Sequence, residues 1–205
     1  NTEMIILNYP NNPTGKVLTE DMIEKIMFIA KDHDLYVLSD EIYEYYSNSD
    51  LNRKQVWTHN YEKSIVTKSF SKSYAMTGYR IGWVIAEPSI IEKMSKLQAL
   101  SLTNVSEPIQ YVALQAIQAY DGGPDVYKSR LDALGKIAKD IGLEFVEPDG
   151  AMYLFAKTKY KNFDATKFSE KLLEHGVAIA PGEGFGDYKE FFRITAIDET
   201  RLKEG

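Results

Sequence analysis

Between Ser64 and Trp83 the chain reads Ser-Ile-Val-Thr-Lys-Ser-Phe-Ser-Lys-Ser-Tyr-Ala-Met-Thr-Gly-Tyr-Arg-Ile-Gly-Trp, which sets Lys72 among hydroxyls just after an apolar run. A lysine attacks a carbonyl carbon once its surroundings disfavour its charge, so Lys72 is a candidate nucleophile. Taken alone it reads as a solvated loop lysine. Arg80 follows between apolar neighbours, with Gly78 and Gly82 on either side predicting close backbone approach or a tight turn. Arg193 lies between Phe192 and Ile194. An arginine in an apolar strand requires a partner, and a planar carboxylate matches its fork, whether that carboxylate belongs to a ligand or to a buried salt bridge. Asp40 closes the run Tyr36-Val-Leu-Ser-Asp and delivers a carboxylate at a strand end.

These groups need elements to hold them. Met4 to Tyr9 is a short apolar run ended by Pro10, as suits a buried strand of a parallel sheet. Asn11-Asn12-Pro13-Thr14-Gly15 is turn chemistry. Thr19 is the expected N-cap of a helix reaching about His33, with Ile23, Ile26, Met27 and Ala30 at helical spacing. Strands are expected over Tyr36 to Glu41, Ser64 to Thr67 and Tyr79 to Ala86, then a helix opened by Pro88 and a second one with Ile109, Val112, Ala113, Ala116 and Ile117 inward. Strand, helix, strand, loop, strand argues for an α/β layered sheet, in which ligands collect beyond the carboxyl ends of the strands. Three strands end in polar residues here, at Asn8 to Asn12, Asp40 to Tyr43 and Ser69 to Lys72.

After Gly122-Gly123-Pro124 the pattern changes. A helix over 125 to 141, a hairpin around Pro148-Asp149-Gly150, a helix over Ala165 to Glu174, a strand at Val177 to Ala180, a glycine-rich turn at Pro181 to Gly186 and a strand at Phe191 to Ala196 make an α+β segment. The expected domains are therefore 1–123 and 124–205. Composition bounds the function. The 205 residues carry a net charge of −6 and an estimated pI of 5.2, which disfavours a nucleic-acid surface. There is no cysteine, and His33, His59 and His175 are too far apart for zinc spacing. No apolar run approaches the roughly 20 residues that cross a bilayer. A soluble, cytoplasmic protein without a membrane or nucleic-acid partner is expected.

Asn11-Asn12-Pro13-Thr14-Gly15, Ser39-Asp40-Glu41-Ile42-Tyr43, Ser69-Phe70-Ser71-Lys72 through Arg80, and Phe192-Arg193-Ile194 together resemble the class I/II aminotransferases, fold-type I pyridoxal-phosphate enzymes, over essentially the whole chain. The resemblance implies a three-layer, mainly parallel sheet flanked by helices, the remainder of a large cofactor domain, followed by a small α+β domain. It also implies pyridoxal 5'-phosphate as cofactor, amino acid and 2-oxo acid as substrates, and a homodimer. Lys72 matches the residue that forms the Schiff base and moves the substrate's α proton, and Asp40 the partner of the ring nitrogen. Asn12 and Tyr43 match the donors to the cofactor's phenolic oxygen, and Ser69 and Arg80 the phosphate contacts, with Ser71 beside them. Arg193 matches the arginine that binds the substrate carboxylate, with Asn12 nearby. Asn104 falls in a loop that approaches the neighbouring subunit in the family. Glu41 is expected to point the other way along its strand in a structural role, and Tyr45 and Tyr46 to serve packing.

The same motifs serve a C–S lyase, a cyclopropane-forming synthase or the aminotransferase-like sensory domain of a transcriptional regulator. Against the family pattern, a long amino-terminal portion is absent, Asn1 opens the chain without a methionine, and Leu202 to Gly205 read as a helix just begun. A chain cut at both ends is expected, with further residues missing near Gly122 to Val126. The fragment alone is then expected to be inactive.

Overall fold

The computed structural model describes residues 2–46, 56–120 and 125–204. The expected boundary at 123/124 and most of the expected gap near Gly122 to Val126 fall on residues 121–124, which lie outside the described residues. The chain forms two compact units, one of Asn1–Tyr9, Leu18–Tyr45 and Ser49–Gly123, the other of Pro10–Val17, Tyr46–Asn48 and Pro124–Gly205. The second unit thus takes two short segments that chain order had assigned to the first. Among the described residues, no helix is long and apolar enough to cross a membrane.

In the first unit the elements run β1 (Met4–Asn8), α1 (Glu20–Asp32), β2 (Tyr36–Asp40), β3 (Ser64–Ser69), α2 (Phe70–Ser73), β4 (Gly82–Ala86), α3 (Pro88–Ser101) and α4 (Glu107–Gln118). The sheet order is β1-β2-β3-β4, parallel across the first three strands and antiparallel between β3 and β4. Thr19 caps α1 by accepting from the Met22 amide at 3.3 Å, and Ile23, Met27 and Ala30 pack on Leu7, Val37 and Val66. Because strand side chains alternate, that packing commits odd residues of β1 and β2 and even residues of β3 to the α1 face. Asn8, Asp40 and Thr67 consequently share the opposite face, where the register pairs Asn8 with Asp40 and Asp40 with Thr67.

Three expectations change. The run at Met4 to Tyr9 reads as buried on both faces, yet Ile6 is 68% exposed, because only the α1 face is covered among the described residues. The strand expected from Tyr79 begins at Gly82: Thr77–Tyr79 form one 3-10 turn, and Arg80 adopts a left-handed backbone with φ of 54°. On α4 only Ala113 is buried, and Val112 and Ile117 stand exposed, since helical spacing marks a face able to pack without supplying what packs on it. Gly82 is required where it stands, because a Cβ there would lie 2.5 Å from the Lys68 carbonyl oxygen, whereas one at Gly78 would meet nothing within 4 Å.

The second unit contains α5 (Asp125–Asp140), β5 (Glu144–Phe145), β6 (Tyr153–Lys157), α6 (Ala165–Glu174), β7 (Ala180–Pro181), β8 (Phe191–Thr195) and α7 (Glu199–Glu204). Its sheet is antiparallel, in the order β5-β6-β8-β7. Leu131, Leu134 and Ala138 of α5 meet Leu154 and Ala156 of β6 and Phe192 of β8 in the core. Tyr153, Phe155 and Arg193 therefore occupy the other face. The strand expected at Val177 to Ala180 reduces to Ala180–Pro181, and the glycine-rich turn winds into a 3-10 turn at Gly182–Phe185. Pro10–Val17 is pinned to the β5–β6 loop: the Gly15 carbonyl accepts from the Asp149 and Gly150 amides at 2.9 and 2.8 Å, and Lys16 pairs with Asp149 at 2.5 Å. Gly15, at φ of 68°, would drive a Cβ to 2.5 Å from the Pro148 Cβ.

Gly82→Ala is expected to lower the unfolding free energy by about 1–3 kcal/mol through overpacking against the Lys68 carbonyl. Gly78→Ala should change it by less than about 0.5 kcal/mol. Denaturant unfolding of the two variants checks the contrast; equal effects would remove the steric account.

Candidate active site

At the carboxyl ends of the parallel strands, Asp40 is held on several sides. Its Oδ2 accepts from Asn8 Nδ2 at 3.0 Å, and its Oδ1 from the Ile42 amide at 3.3 Å and Thr67 Oγ1 at 3.4 Å. The carboxylate is half-buried and oriented by its neighbours on β1 and β3. The chain then turns, and Tyr43 is buried. The half-buried Lys72 carries its Nζ to 6.0 Å from the centre of the Tyr43 ring. Asp40, Tyr43 and Lys72 thus gather in one unit.

Ser69 ends β3 and caps α2, accepting from the Ser71 amide at 3.0 Å and donating to the Ile81 carbonyl at 3.2 Å. Beside it lies a hollow of about 310 Å³ lined by Thr67, Lys68, Ser69, Ser71, Arg80 and the start of β4. Arg80 is exposed, and its guanidinium donates to the Thr77 carbonyl at 2.9 Å. Two serine hydroxyls and a guanidinium around one hollow suit a phosphate-sized anion, while the oriented Asp40 carboxylate suits a cationic ring nitrogen. These residues fit a cofactor bearing both groups.

Arg193 belongs to the other unit. Its Nη1 donates to Asn12 Oδ1 at 2.8 Å, which orients the Asn12 amide. Its guanidinium carbon lies 4.3 Å from the Tyr153 ring centre and 5.0 Å from that of Phe185. The Arg193 Nε is buried without a hydrogen-bond partner among the described residues. A guanidinium fixed by two rings and one amide, with a buried donor still unsatisfied, is prepared for a planar anion. An adjoining cleft of about 600 Å³ is lined by Asn12, Phe155, Phe185, Tyr188 and Phe191 among others. Asn104 is exposed and donates to the Val105 carbonyl at 3.1 Å.

Glu41 is buried on the α1 face, where its Oε1 accepts from Ser39 Oγ at 3.1 Å and its Oε2 lies 3.6 Å from Lys68 Nζ. Lys68 also pairs with Glu44. Sequence reading missed Lys68 and Glu44, although alternation from Val66 on β3 and Val37 on β2 puts Lys68 and Glu41 on one face. Tyr46 is buried against Tyr127, and Tyr45 packs its ring against Tyr74 and Tyr120.

The Tyr45 and Tyr74 hydroxyls are hydrogen-bonded to each other, and burial first, with the Glu44 charge adding, pushes both above the usual tyrosine value. Folding therefore tightens their hold on the proton. The stabilisation is complete below about pH 10, the unfolded tyrosine value, and is lost as the pH rises through the raised values. Above about pH 10 the melting temperature is expected to fall more steeply in the parent protein than in a Tyr45→Phe/Tyr74→Phe variant. Parallel slopes in a thermal melt series would count against this.

The aminotransferase class I and II family model matches residues 1–205. The chain is 37% identical over 204 residues to the aspartate aminotransferase of Pyrococcus horikoshii, covering 95% of this chain and 52% of that protein. It is 35% identical over 204 residues to aromatic-amino-acid aminotransferase 2 of Thermococcus litoralis, again covering 95% and 52%. The crystal structure of an aspartate aminotransferase from Thermotoga maritima superposes with a TM-score of 0.91 at 33% identity, covering 99% of this chain and 54% of that one. The chain spans about half the length of the relatives it matches. With its strand-end carboxylate, lysine and arginine on an α/β scaffold of that form, the chain belongs to the class I and II aminotransferase family.

Proposed function

We propose that the protein is a pyridoxal-phosphate-dependent aminotransferase that moves an amino group between an amino acid and a 2-oxo acid. The observation that carries this reading is the convergence of Asp40, Tyr43 and Lys72 at the ends of the parallel strands, with Asp40 held by Asn8 and Thr67. When bound through Lys72, pyridoxal phosphate supplies an electron sink for the charge that develops at the substrate's α carbon.

Asp40, kept in place by three donors, pairs with a protonated ring nitrogen. Tyr43 and Asn12 offer donors to the cofactor's phenolic oxygen, which favours its anionic form. Ser69, Ser71 and Arg80 hold the phosphate. Lys72 would be the covalent anchor, and its freed amine would move the proton between the substrate's α carbon and the cofactor. Arg193 grips the substrate's α-carboxylate through the planar fork that Tyr153, Phe185 and Asn12 orient. A homodimer in the cytoplasm belongs to the same reading, supported by exposed apolar residues such as Leu97, Leu100 and Ile117 and by a chain without cysteine.

Full-length protein mixed with pyridoxal phosphate should develop the absorption band of a lysine adduct, and Lys72→Ala should abolish both the band and amino transfer. A band that persists in the variant overturns the assignment of Lys72. Addition of an amino acid should then yield the corresponding 2-oxo acid and the amine form of the cofactor; release of ammonia instead would point to a lyase. Arg193→Lys should raise KM for the amino acid by roughly tenfold or more, about 1.4 kcal/mol, because a point charge replaces a bidentate fork. An unchanged KM would remove Arg193 from carboxylate binding.

A further inference from the structure

Behind the site lies a buried cluster of charge that the proposed chemistry does not use. Lys68 points to the α1 face, opposite Thr67 and Ser69, and there its ammonium pairs with Glu44 and stands 3.6 Å from Glu41. The side chains of Lys68 and Glu44 are each 10% exposed and that of Glu41 8%. Ser39 donates to Glu41 from the same face. Such a cluster adds little net stability, since desolvation offsets attraction, but removing one member leaves an uncompensated buried charge. Its value therefore lies in where it holds the chain.

Every member of the cluster adjoins a residue of the site. Glu41 follows Asp40, Glu44 follows Tyr43, and Lys68 lies between Thr67, which donates to Asp40, and Ser69. The β2–β3 ladder ends at the pairing of Asp40 with Thr67, and the last backbone tie is the Glu41 amide to the Thr67 carbonyl at 3.0 Å. Past that point the chain leaves the sheet in a turn closed by the Glu44 amide donating to the Glu41 carbonyl at 2.9 Å, and side chains hold that turn against β3. Without an ammonium between them, the two carboxylates would repel and swing the turn off β3.

Building on the reading of the site as a pyridoxal-phosphate centre, we propose that Lys68 is a positioning residue: through Glu41 and Glu44 it clamps the turn after β2 onto β3 from the rear of the sheet, and so sets where Asp40 and Tyr43 stand relative to Lys72. Lys68 also lines the hollow beside Ser69, but its ammonium is engaged by Glu44 and Glu41 on the α1 face and is assigned no contact with cofactor or substrate. The carboxylates facing it are Glu41 and Glu44, and the group facing Lys72 from the turn is the Tyr43 ring.

The test uses full-length holoenzyme and the pH midpoint of its cofactor absorption band, with melting temperature measured in parallel. Displacing Tyr43 removes a donor to the phenolic oxygen, so Lys68→Met should raise the midpoint by about half a unit or more, in the direction of Tyr43→Phe. Lys68→Arg should restore it. Glu44→Gln separates position from charge: it releases the clamp while deleting a negative charge, so positioning predicts a rise and a field effect alone predicts a fall. A fall in Glu44→Gln, or a midpoint within about 0.2 unit of the parent in both it and Lys68→Met, overturns the proposal even if both variants melt earlier. If the parent takes up no pyridoxal phosphate, the functional reading fails, and positioning is judged on cofactor-free protein. There, acetylation of Lys72 by acetic anhydride, relative to Lys25 and Lys31, should change by about twofold or more in Glu44→Gln; an unchanged ratio overturns the clamp.

Discussion

Asn8, Asp40 and Thr67 lie side by side because three strands run parallel in one register, and that alignment is the constraint from which the rest of the first unit follows. Parallel pairing sends all three carboxyl ends to one edge of the sheet. Packing of Ile23, Met27 and Ala30 of α1 against Leu7, Val37 and Val66 decides which side chains face the helix, and alternation leaves Asp40 and its two donors on the other side. A slip of one residue would exchange Asp40 with Glu41, turning Asp40 toward α1 and away from Asn8 and Thr67. Hydrophobic burial on one face thus specifies electrostatics on the other.

Much of this is legible in the order of residues. The Thr19 cap, the period of α1, the strand ends at Asp40 and Ser69, the hairpin about Pro148 and the α6 helix follow from local chemistry, and the structure has each of them close to its expected place. Arg193 reads as a cation in need of a partner, because an arginine flanked by Phe192 and Ile194 has few other options, and the structure supplies the Asn12 amide where a carboxylate was expected. The motifs that carry the family resemblance are those whose geometry is local or lies at strand termini.

What escaped depends on pairs distant in sequence. Lys68 looks like one more polar residue before Ser69 until β2 lies beside β3, when it meets Glu41 and Glu44. Arg193 and Asn12 are separated by 181 positions, and nothing local to either announces their hydrogen bond. The strand expected from Tyr79 fails for another reason: β propensity of Tyr, Ile and Trp is outweighed by the left-handed backbone at Arg80, a conformation that composition does not advertise. Exposed faces on β1 and α4 escaped because amphipathic spacing records a readiness to be covered and not the cover.

That left-handed arginine sets two demands against each other at one position. For a residue with a Cβ, the φ of 54° at Arg80 costs roughly 1 kcal/mol or more relative to glycine. Glycine would relax the backbone, yet it would take the guanidinium away from the hollow that Ser69 and Ser71 share. Folding stability and the proposed anion affinity therefore select different side chains at position 80. Selection for thermal resilience alone would drift toward glycine there and strip the hollow of its guanidinium, which on the proposed reading is a local instance of the trade between a rigid fold and a working site.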